Sequence, residues 1–160
     1  MSVYLWYNMA MIIEVNSSDA MKQLGAQIGA SVRGGETIML IGDIGAGKTT
    51  FTKGLALAMG ISEDIQSPTF TISRVYDTND NRVLAHYDFY RLSDPGIMRA
   101  ELTEAAHDPN TVTVIEWGEV VADALSKDVL SVKITLTGED SRSVELTATG
   151  AAQRIIEEIQ

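Results

Sequence analysis

The stretch Gly42-Asp43-Ile44-Gly45-Ala46-Gly47-Lys48-Thr49 decides how the rest of this sequence is interpreted. It matches G-x-x-x-x-G-K-[ST], the pattern of the P-loop, a phosphate-binding turn between a strand and a helix. The glycines let the backbone curl so that successive N–H groups point at one phosphate chain. Lys48 is then expected to reach the β and γ phosphates, and the Thr49 hydroxyl to bind Mg²⁺. The motif therefore predicts a site for a nucleotide and Mg²⁺.

The sequence on either side of the loop supports this interpretation. The continuous apolar run Thr37–Ile41 precedes the loop and is typical of a strand buried on both faces. After the loop, Phe51, Leu55 and Met59 recur at helical spacing, and Gly60 follows where a helix would end. A strand, a glycine-rich turn and a helix are the context that the motif requires.

Composition limits the class of protein. The chain has 160 residues, of which 45% are hydrophobic and 21% charged, which is ordinary for a soluble globular domain. It has no cysteine, which excludes a disulfide framework and a thiolate metal site and favours a cytoplasmic location. The apolar run Val3–Ile13 is too short to span a bilayer. We expect it to lead into a first strand, with residues 1–10 forming a poorly ordered N-terminal extension.

The charge balance limits the partners. Twelve Lys and Arg against 22 Asp and Glu give a net charge of −10, and no basic run appears. Extensive contact with a nucleic acid requires neutralised phosphates, so this charge disfavours direct binding. Any link to RNA is expected to run through a partner protein.

Patterning predicts one α/β domain over residues 1–160, with a mixed central sheet, flanking helices and antiparallel hairpins. The predicted strands are Met11–Val15, Thr37–Ile41, Phe70–Tyr76, Val83–Tyr90, Thr111–Ile115, Val129–Thr137 and Arg142–Thr149. The predicted helices are Asp19–Val32, Thr50–Met59, Ser93–Ala106, Val120–Leu125 and Ala151–Ile159.

Two acidic residues are candidates for the carboxylate that a catalytic P-loop needs beside its metal. Asp88 lies near the end of the predicted strand Val83–Tyr90, and Glu116 directly follows the β-branched strand Thr111–Ile115. Open α/β sheets bind ligands at the carboxyl ends of their strands, and a buried carboxylate needs a cation. Glu116 is therefore the stronger candidate to hold the metal, directly or through water. The alternative for either acid is a solvated strand end.

Three further residues have a functional and a structural interpretation. Thr69, in Ser67-Pro68-Thr69, is either a switch residue that meets the metal or the γ-phosphate, or part of a plain loop. His86 has no partner at zinc-site spacing and is expected to be a packed or hydrogen-bonded strand residue. Trp117 either packs in the core or covers the nucleotide.

Four motifs together resemble the TsaE (YjeE) family. They are Gly42–Thr50, Ser67–Phe70, His86–Leu92 and Ile115–Trp117, in the family's order and spacing. The resemblance extends from about Met11 to the C-terminal hairpin. It implies a P-loop NTPase-like domain and an Mg²⁺-dependent ATPase of bacterial tRNA threonylcarbamoyladenosine biosynthesis. It also implies a partner, the threonylcarbamoyl-transferase heterodimer of TsaB and TsaD type proteins, which modifies adenosine 37 of tRNAs reading codons that begin with A.

The resemblance also assigns roles to individual residues. It makes Asp88 the Walker B-like acid, Glu116 the second acid of the metal site and Thr69 the switch threonine. The implied catalytic residues are Lys48, Asp88, Glu116 and Thr69, and the implied Mg²⁺ ligands are Thr49 and Glu116. The implied ATP contacts are Ile44, Gly45, Ala46, Gly47, Lys48, Thr49 and Thr50, with Ser18 and Arg142 near the base.

Two other functions stay open at this point. A small-molecule or nucleoside kinase usually needs a mobile lid with several arginines, and only Arg91 and Arg99 lie between the first hairpin and Glu116. A non-catalytic nucleotide switch could hold Mg²⁺ without positioning a water for attack. Transfer of phosphate to a nucleoside would identify the kinase, and binding without turnover would identify the switch.

Overall fold

One seven-stranded mixed sheet contains every strand in the part of the chain that the computed structural model describes, residues 10–90, 92 and 94–160. The predicted extension up to Met9 lies outside these residues, as do Arg91 and Ser93. Among the described residues, no helix has the length and apolar character needed to cross a membrane.

The strands and helices follow one another in the order that the patterning predicted. The strands are β1 Met11–Val15, β2 Thr37–Ile41, β3 Ser73–Asp77, β4 Val83–Asp88, β5 Thr111–Glu116, β6 Val129–Leu136 and β7 Arg142–Ala148. The helices are α1 Ser18–Ser31, α2 Lys48–Ala58, α3 Ile97–His107 and α4 Gln153–Ile159, with short 3-10 helices at Gly118–Ala124 and Gly150–Ala152.

The order of the strands brings the predicted site residues to one edge of the sheet. The order is β1-β7-β6-β2-β5-β4-β3. The four middle strands β6, β2, β5 and β4 are parallel, and antiparallel strands complete both sides. Parallel strands present their carboxyl ends at the same edge, where open α/β sheets bind ligands. The loop after β2, Glu116 at the end of β5 and Asp88 at the end of β4 therefore meet there, and Asp88 is in register with Glu116.

Helices cover both faces of the central strands. On one face, α1, α2 and α4 pack on the sheet in a core that includes Ile38, Phe51 and Ile155. On the other face, α3 and the 3-10 helix Gly118–Ala124 pack in a smaller core around Tyr87 and Leu102. All six residues of β5 are buried, which explains its apolar, β-branched composition. The predicted α/β fold with a mixed sheet and antiparallel hairpins is confirmed.

Close contact between α1 and α2 determines where the loop lies. A Cβ atom on Gly25 of α1 would lie 2.1 Å from the carbonyl oxygen of Phe51. A Cβ atom on Gly54 of α2 would lie 1.9 Å from the carbonyl oxygen of Lys22. Only glycine allows two helix backbones to approach this closely. Because α2 begins directly after the loop, this contact ties the loop to α1.

The predicted strand Phe70–Tyr76 was wrong at its start. The backbone N–H groups of Thr71 and Ile72 both donate to the carbonyl oxygen of Pro68, at 3.0 and 2.6 Å, and form a turn there. β3 begins at Ser73, and the Phe70 side chain is fully exposed. Alternation of apolar and polar residues continued through the turn and concealed the boundary.

Two helix starts also differ from prediction. The helix predicted from Ser93 begins at Ile97, and its N-cap is Gly96. Asp94 accepts a hydrogen bond from the Gly96 N–H at 3.0 Å, so it stabilises the turn before the helix instead of capping it. The segment predicted as a helix over Val120–Leu125 is the 3-10 helix Gly118–Ala124.

Candidate nucleotide site

The loop between β2 and α2 has the backbone that its glycines predicted. Gly45 and Gly47 have φ values of +81° and +113°, in the region that favours glycine. Gly47 is the N-cap of α2, so the helix begins at Lys48. The first N–H groups of a helix lack intrahelical partners and, with the helix dipole, attract phosphate. The local backbone is therefore suited to hold an anion at this end of α2.

Lys48 is held inside the loop. Its side chain is buried, and Nζ donates to the carbonyl oxygens of Gly42 at 2.6 Å and Asp43 at 3.0 Å. Nζ also lies 5.1 Å from the centre of the Trp117 ring, within the range of a cation–π contact. These contacts hold the ammonium group beside the place where phosphate is expected.

A cavity of about 400 Å³ connects the loop to the ends of β4 and β5. Its walls include three of the residues predicted from the motifs outside the loop: Thr69, Asp88 and Glu116. The loop contributes Ile44, Gly45, Gly47, Lys48, Thr49 and Thr50, and the rest of the lining is Ser67, Tyr90 and Trp117. Tyr90 and Trp117 were not predicted as site residues, although Trp117 had been considered as a cover for the nucleotide. Their rings lie 5.1 Å apart and tilted at 41°.

Both carboxylate oxygens of Asp88 accept hydrogen bonds from nearby residues. Its Oδ2 accepts from the Thr69 hydroxyl at 2.7 Å and from the Ser67 hydroxyl at 3.3 Å. Its Oδ1 accepts from the Tyr90 N–H at 2.9 Å. The loop Ser67-Pro68-Thr69 is therefore attached to the end of β4 through the carboxylate of Asp88.

Glu116 makes a contact that the motifs did not predict. Its Oε1 lies 3.0 Å from Nε2 of His86, and both side chains are buried. His86 is indeed a hydrogen-bonded strand residue, as expected. Its position two residues before Asp88 places it on the same face of β4, and this spacing was the available signal.

The oxygen atoms at this edge suit Mg²⁺. Thr49 offers a hydroxyl, and Asp88 and Glu116 offer carboxylates, around the same cavity. Mg²⁺ prefers oxygen ligands and is usually bound by one or two carboxylates together with phosphate oxygens and water. Within the described ranges no group of three or more His, Cys, Asp and Glu side chains is placed to hold a metal. A P-loop metal relies on phosphate and a hydroxyl, so it does not need such a group.

Ser18 and Arg142 lie on the other side of the loop, where they border a second cavity of about 160 Å³. This cavity shares Gly45, Gly47 and Thr50 with the larger one, and Ala46 also lines it. Arg142 donates from Nε to the carbonyl oxygen of Ala46 at 3.0 Å. Ser18 is the first residue of α1, and the helix cap is its neighbour Ser17. The two residues are therefore close to the loop, and their contact with a base stays a prediction.

Comparison with known proteins gives a consistent assignment. The family model described as "Threonylcarbamoyl adenosine biosynthesis protein TsaE" matches residues 15–144. The tRNA threonylcarbamoyladenosine biosynthesis protein TsaE of Streptomyces coelicolor is 36% identical over 135 residues, which cover 81% of this chain and 91% of that protein. The protein of the same name from Bacillus subtilis is 38% identical over 130 residues, covering 81% of this chain and 80% of that protein.

A solved structure agrees with the sequence relatives. The crystal structure of Bacillus subtilis YdiB superposes with a TM-score of 0.80 at 29% identity, over 96% of this chain and 95% of that one. The family match includes the four motifs around the cavity. The chain belongs to the TsaE family of threonylcarbamoyl adenosine biosynthesis proteins.

Proposed function

We propose that this protein is an Mg²⁺-dependent ATPase required for threonylcarbamoyladenosine modification of adenosine 37 in tRNAs that read codons beginning with A. In this proposal residues 1–160 act as a single ATPase domain in the cytoplasm. The domain works with a threonylcarbamoyl-transferase heterodimer of TsaB and TsaD type, which holds the tRNA. The observation that carries the proposal is that Lys48, Thr49, Asp88 and Glu116 all line one cavity in a chain of the TsaE family.

The loop and α2 would bind the phosphates of ATP. The ammonium group of Lys48 donates hydrogen bonds to the carbonyl oxygens of Gly42 and Asp43. When ATP binds, a phosphate oxygen would replace these carbonyl oxygens as the acceptor. The second cavity, with Ser18 and Arg142, would receive the base.

Thr49 and Glu116 would hold Mg²⁺, with Asp88 beside them. When bound, the ion neutralises charge that develops on the phosphate oxygens during hydrolysis. The carboxylates of Asp88 and Glu116 lie at adjacent strand ends, so either could also accept a proton from water or orient it. The Trp117 and Tyr90 rings would limit the access of bulk water to this part of the cavity.

Turnover is expected to be slow without the partner proteins. Both oxygens of Asp88 are engaged by Ser67, Thr69 and the Tyr90 N–H. These bonds occupy both acceptor positions of Oδ2 and one of Oδ1, so the carboxylate of Asp88 has little capacity left to orient a ligand in the cavity until one of them is exchanged. A partner that rearranges the Ser67-Pro68-Thr69 loop would therefore accelerate hydrolysis.

Substitution of Lys48 tests the proposal. Lys48→Ala removes the only lysine that lines the described cavity, so we expect ATP hydrolysis to fall by about a hundredfold or more. Lys53→Ala is a matched control on the same helix, since Lys53 is exposed and its one ion pair among the described residues is with Asp64, at 3.6 Å. Hydrolysis would be measured with and without the partner heterodimer. ATP hydrolysis by Lys48→Ala at the wild-type rate would overturn the proposal.

One observation favours a second candidate, a nucleotide switch that does not hydrolyse ATP. The engaged carboxylate of Asp88 is compatible with a site that binds Mg²⁺-ATP and changes the Ser67-Pro68-Thr69 loop without chemistry. Binding of ATP without turnover, both alone and with the partner heterodimer, would identify the switch. The appearance of a phosphorylated nucleoside would instead identify a kinase.

A further inference from the structure

His86 and Glu116 form a buried pair behind the wall of the larger cavity. The two residues lie on the adjacent parallel strands β4 and β5, and their relative exposures are 0% and 4%. Nε2 of His86 lies 3.0 Å from Oε1 of Glu116. Glu116 itself lines the cavity that contains Lys48 and Thr49. His86 therefore contacts the carboxylate from the protein side and does not line the cavity.

The contact determines which nitrogen of His86 carries its proton. A carboxylate oxygen accepts hydrogen bonds, so Nε2 must be the donor at this distance. A neutral imidazole with its proton on Nδ1 would instead direct the Nε2 lone pair at the carboxylate oxygen, which is repulsive. His86 is therefore expected to carry a proton on Nε2 and to donate it to Oε1 of Glu116.

A purely structural role does not account for this histidine. Nδ1 of His86 is buried and has no hydrogen-bond partner among the described residues. A buried polar atom without a partner costs about 1–3 kcal/mol, which an apolar side chain in a strand would avoid. The neighbours of His86 on the same face include apolar core residues such as Leu84. The polar ring is explained if its Nε2–H is needed at Glu116.

We propose that His86 is a positioning residue for Glu116. Its Nε2–H holds Oε1, which fixes the rotamer of the carboxylate and leaves Oε2 as the oxygen for a ligand in the cavity. A group that hydrogen-bonds a ligating carboxylate in this way fixes its orientation and commonly contributes 10- to 100-fold to metal affinity or activity. This inference rests on the proposed function, because it assigns His86 to the same Mg²⁺-ATP site.

Two substitutions at His86 separate positioning from packing. His86→Leu removes the donor and fills the space with an apolar side chain. His86→Gln keeps an N–H donor at a similar distance along the side chain. His107→Leu is the control, because His107 is the second of two histidines and lies exposed at the end of α3. Thermal unfolding of each variant shows whether it is folded.

Calorimetry with ATP, in the presence and absence of Mg²⁺, provides a readout besides activity. We expect His86→Leu to weaken the Mg²⁺-dependent part of ATP binding about tenfold and to lower turnover by 10- to 100-fold. Metal-free ATP binding should not change, because Lys48 and the loop are intact. His86→Gln should recover most of the loss, and His107→Leu should behave like wild type.

Imidazole nitrogen spectra of the wild-type protein test the hydrogen bond without any substitution at His86. The expected result is a protonated Nε2 on His86 whose signal shifts in Glu116→Gln. A proton on Nδ1 alone would overturn the inference. So would a folded His86→Leu variant with wild-type Mg²⁺ dependence, or His86→Gln as impaired as His86→Leu.

The calorimetry also distinguishes this inference from the proposed function. If wild-type protein binds no Mg²⁺-ATP, the proposed function fails and the role of His86 fails with it. If wild-type protein binds Mg²⁺-ATP and His86→Leu binds it equally well, only the role of His86 is wrong.

Discussion

Trp117 directly follows β5, and its side chain contacts Lys48 at the end of the loop Gly42–Thr49. It is one of three described residues other than glycine with positive φ, at +57°, a conformation that is uncommon for a bulky side chain. Its ring lies over Nζ of Lys48 and lines the cavity that contains Thr49. The backbone of Trp117 therefore adopts an unfavourable conformation at the point where its ring meets Lys48.

The fluorescence of Trp117 should report nucleotide binding. When phosphate takes Lys48 away from the Gly42 and Asp43 carbonyls, the ammonium group leaves the ring, so the emission of Trp117 should change. The chain has two tryptophans, and a Trp6→Phe background leaves Trp117 as the only reporter. The measurement is a titration of emission with ATP and Mg²⁺.

Lys48→Ala in the same background is the control and should show no comparable change. If emission stays constant while calorimetry shows saturated ATP binding, Lys48 does not leave the Trp117 ring and the expected exchange is wrong.

At the scale of elements, the contact between α1 and α2 is decided by glycines. Gly25 and Gly54 each lie against a backbone carbonyl of the other helix, at distances that no side chain tolerates. Gly47 is also close to α1, because a Cβ atom there would lie 3.4 Å from Cε of Met21. The helix pair therefore supports the fold and also holds the loop Gly42–Thr49 against α1.

We predict that Gly25→Ala destabilises the protein by at least about 2 kcal/mol. Alanine has the better helix propensity by about 1 kcal/mol, but its methyl group would meet the Phe51 carbonyl and force α1 and α2 apart. The free energy of unfolding from urea denaturation measures the effect. ATP affinity should fall as well, because separation of the helices displaces the start of α2.

Gln27→Ala is the matched control, since Gln27 is exposed on the same helix. The free energy of unfolding of this variant should stay within about 0.5 kcal/mol of the wild-type value. A Gly25→Ala variant that is as stable as Gln27→Ala would show that the two helices can separate at little cost.

Sequence patterns predicted most elements but not all of their boundaries. The apolar strands were predicted at Thr37–Ile41 and Thr111–Ile115 because burial on both faces leaves an almost continuous apolar run. The turn at Pro68 was missed because Phe70 and Ile72 extend the alternation of the following strand, although Phe70 faces solvent. Hydrogen bonds to the Pro68 carbonyl, which no periodicity reveals, end the alternation there.

At the scale of the whole molecule, charge determines how the protein can take part in tRNA modification. A net charge of −10 on 160 residues opposes approach to a polyanion. Twelve basic residues are present, and several are engaged within the fold, such as Arg142 at the loop and Arg154 at Glu36. Contact with tRNA is therefore expected to require the proposed partner heterodimer.

We predict that the isolated protein does not retard tRNA in a mobility-shift assay, even at low salt where electrostatic binding is strongest. With the partner heterodimer and ATP, the protein should join a complex that does retard tRNA. The heterodimer without this chain is the control. Salt-sensitive retardation of tRNA by the isolated protein would contradict the prediction and require a basic surface that the composition does not indicate.

The sequence by itself determined the local chemistry of this protein. The motif alone predicted the conformation of the loop and the positions of Lys48 and Thr49. This was possible because such a turn depends only on residues that are close together in the sequence. The tertiary structure alone decided the contacts between distant segments. Three hydrogen bonds are examples of such contacts. Thr69 bonds Asp88, 19 positions away, and His86 bonds Glu116, 30 positions away. Arg142 bonds Ala46, 96 positions away. These contacts depend on strand order and register, which arise from packing of the whole sheet and leave no periodic signal in the chain.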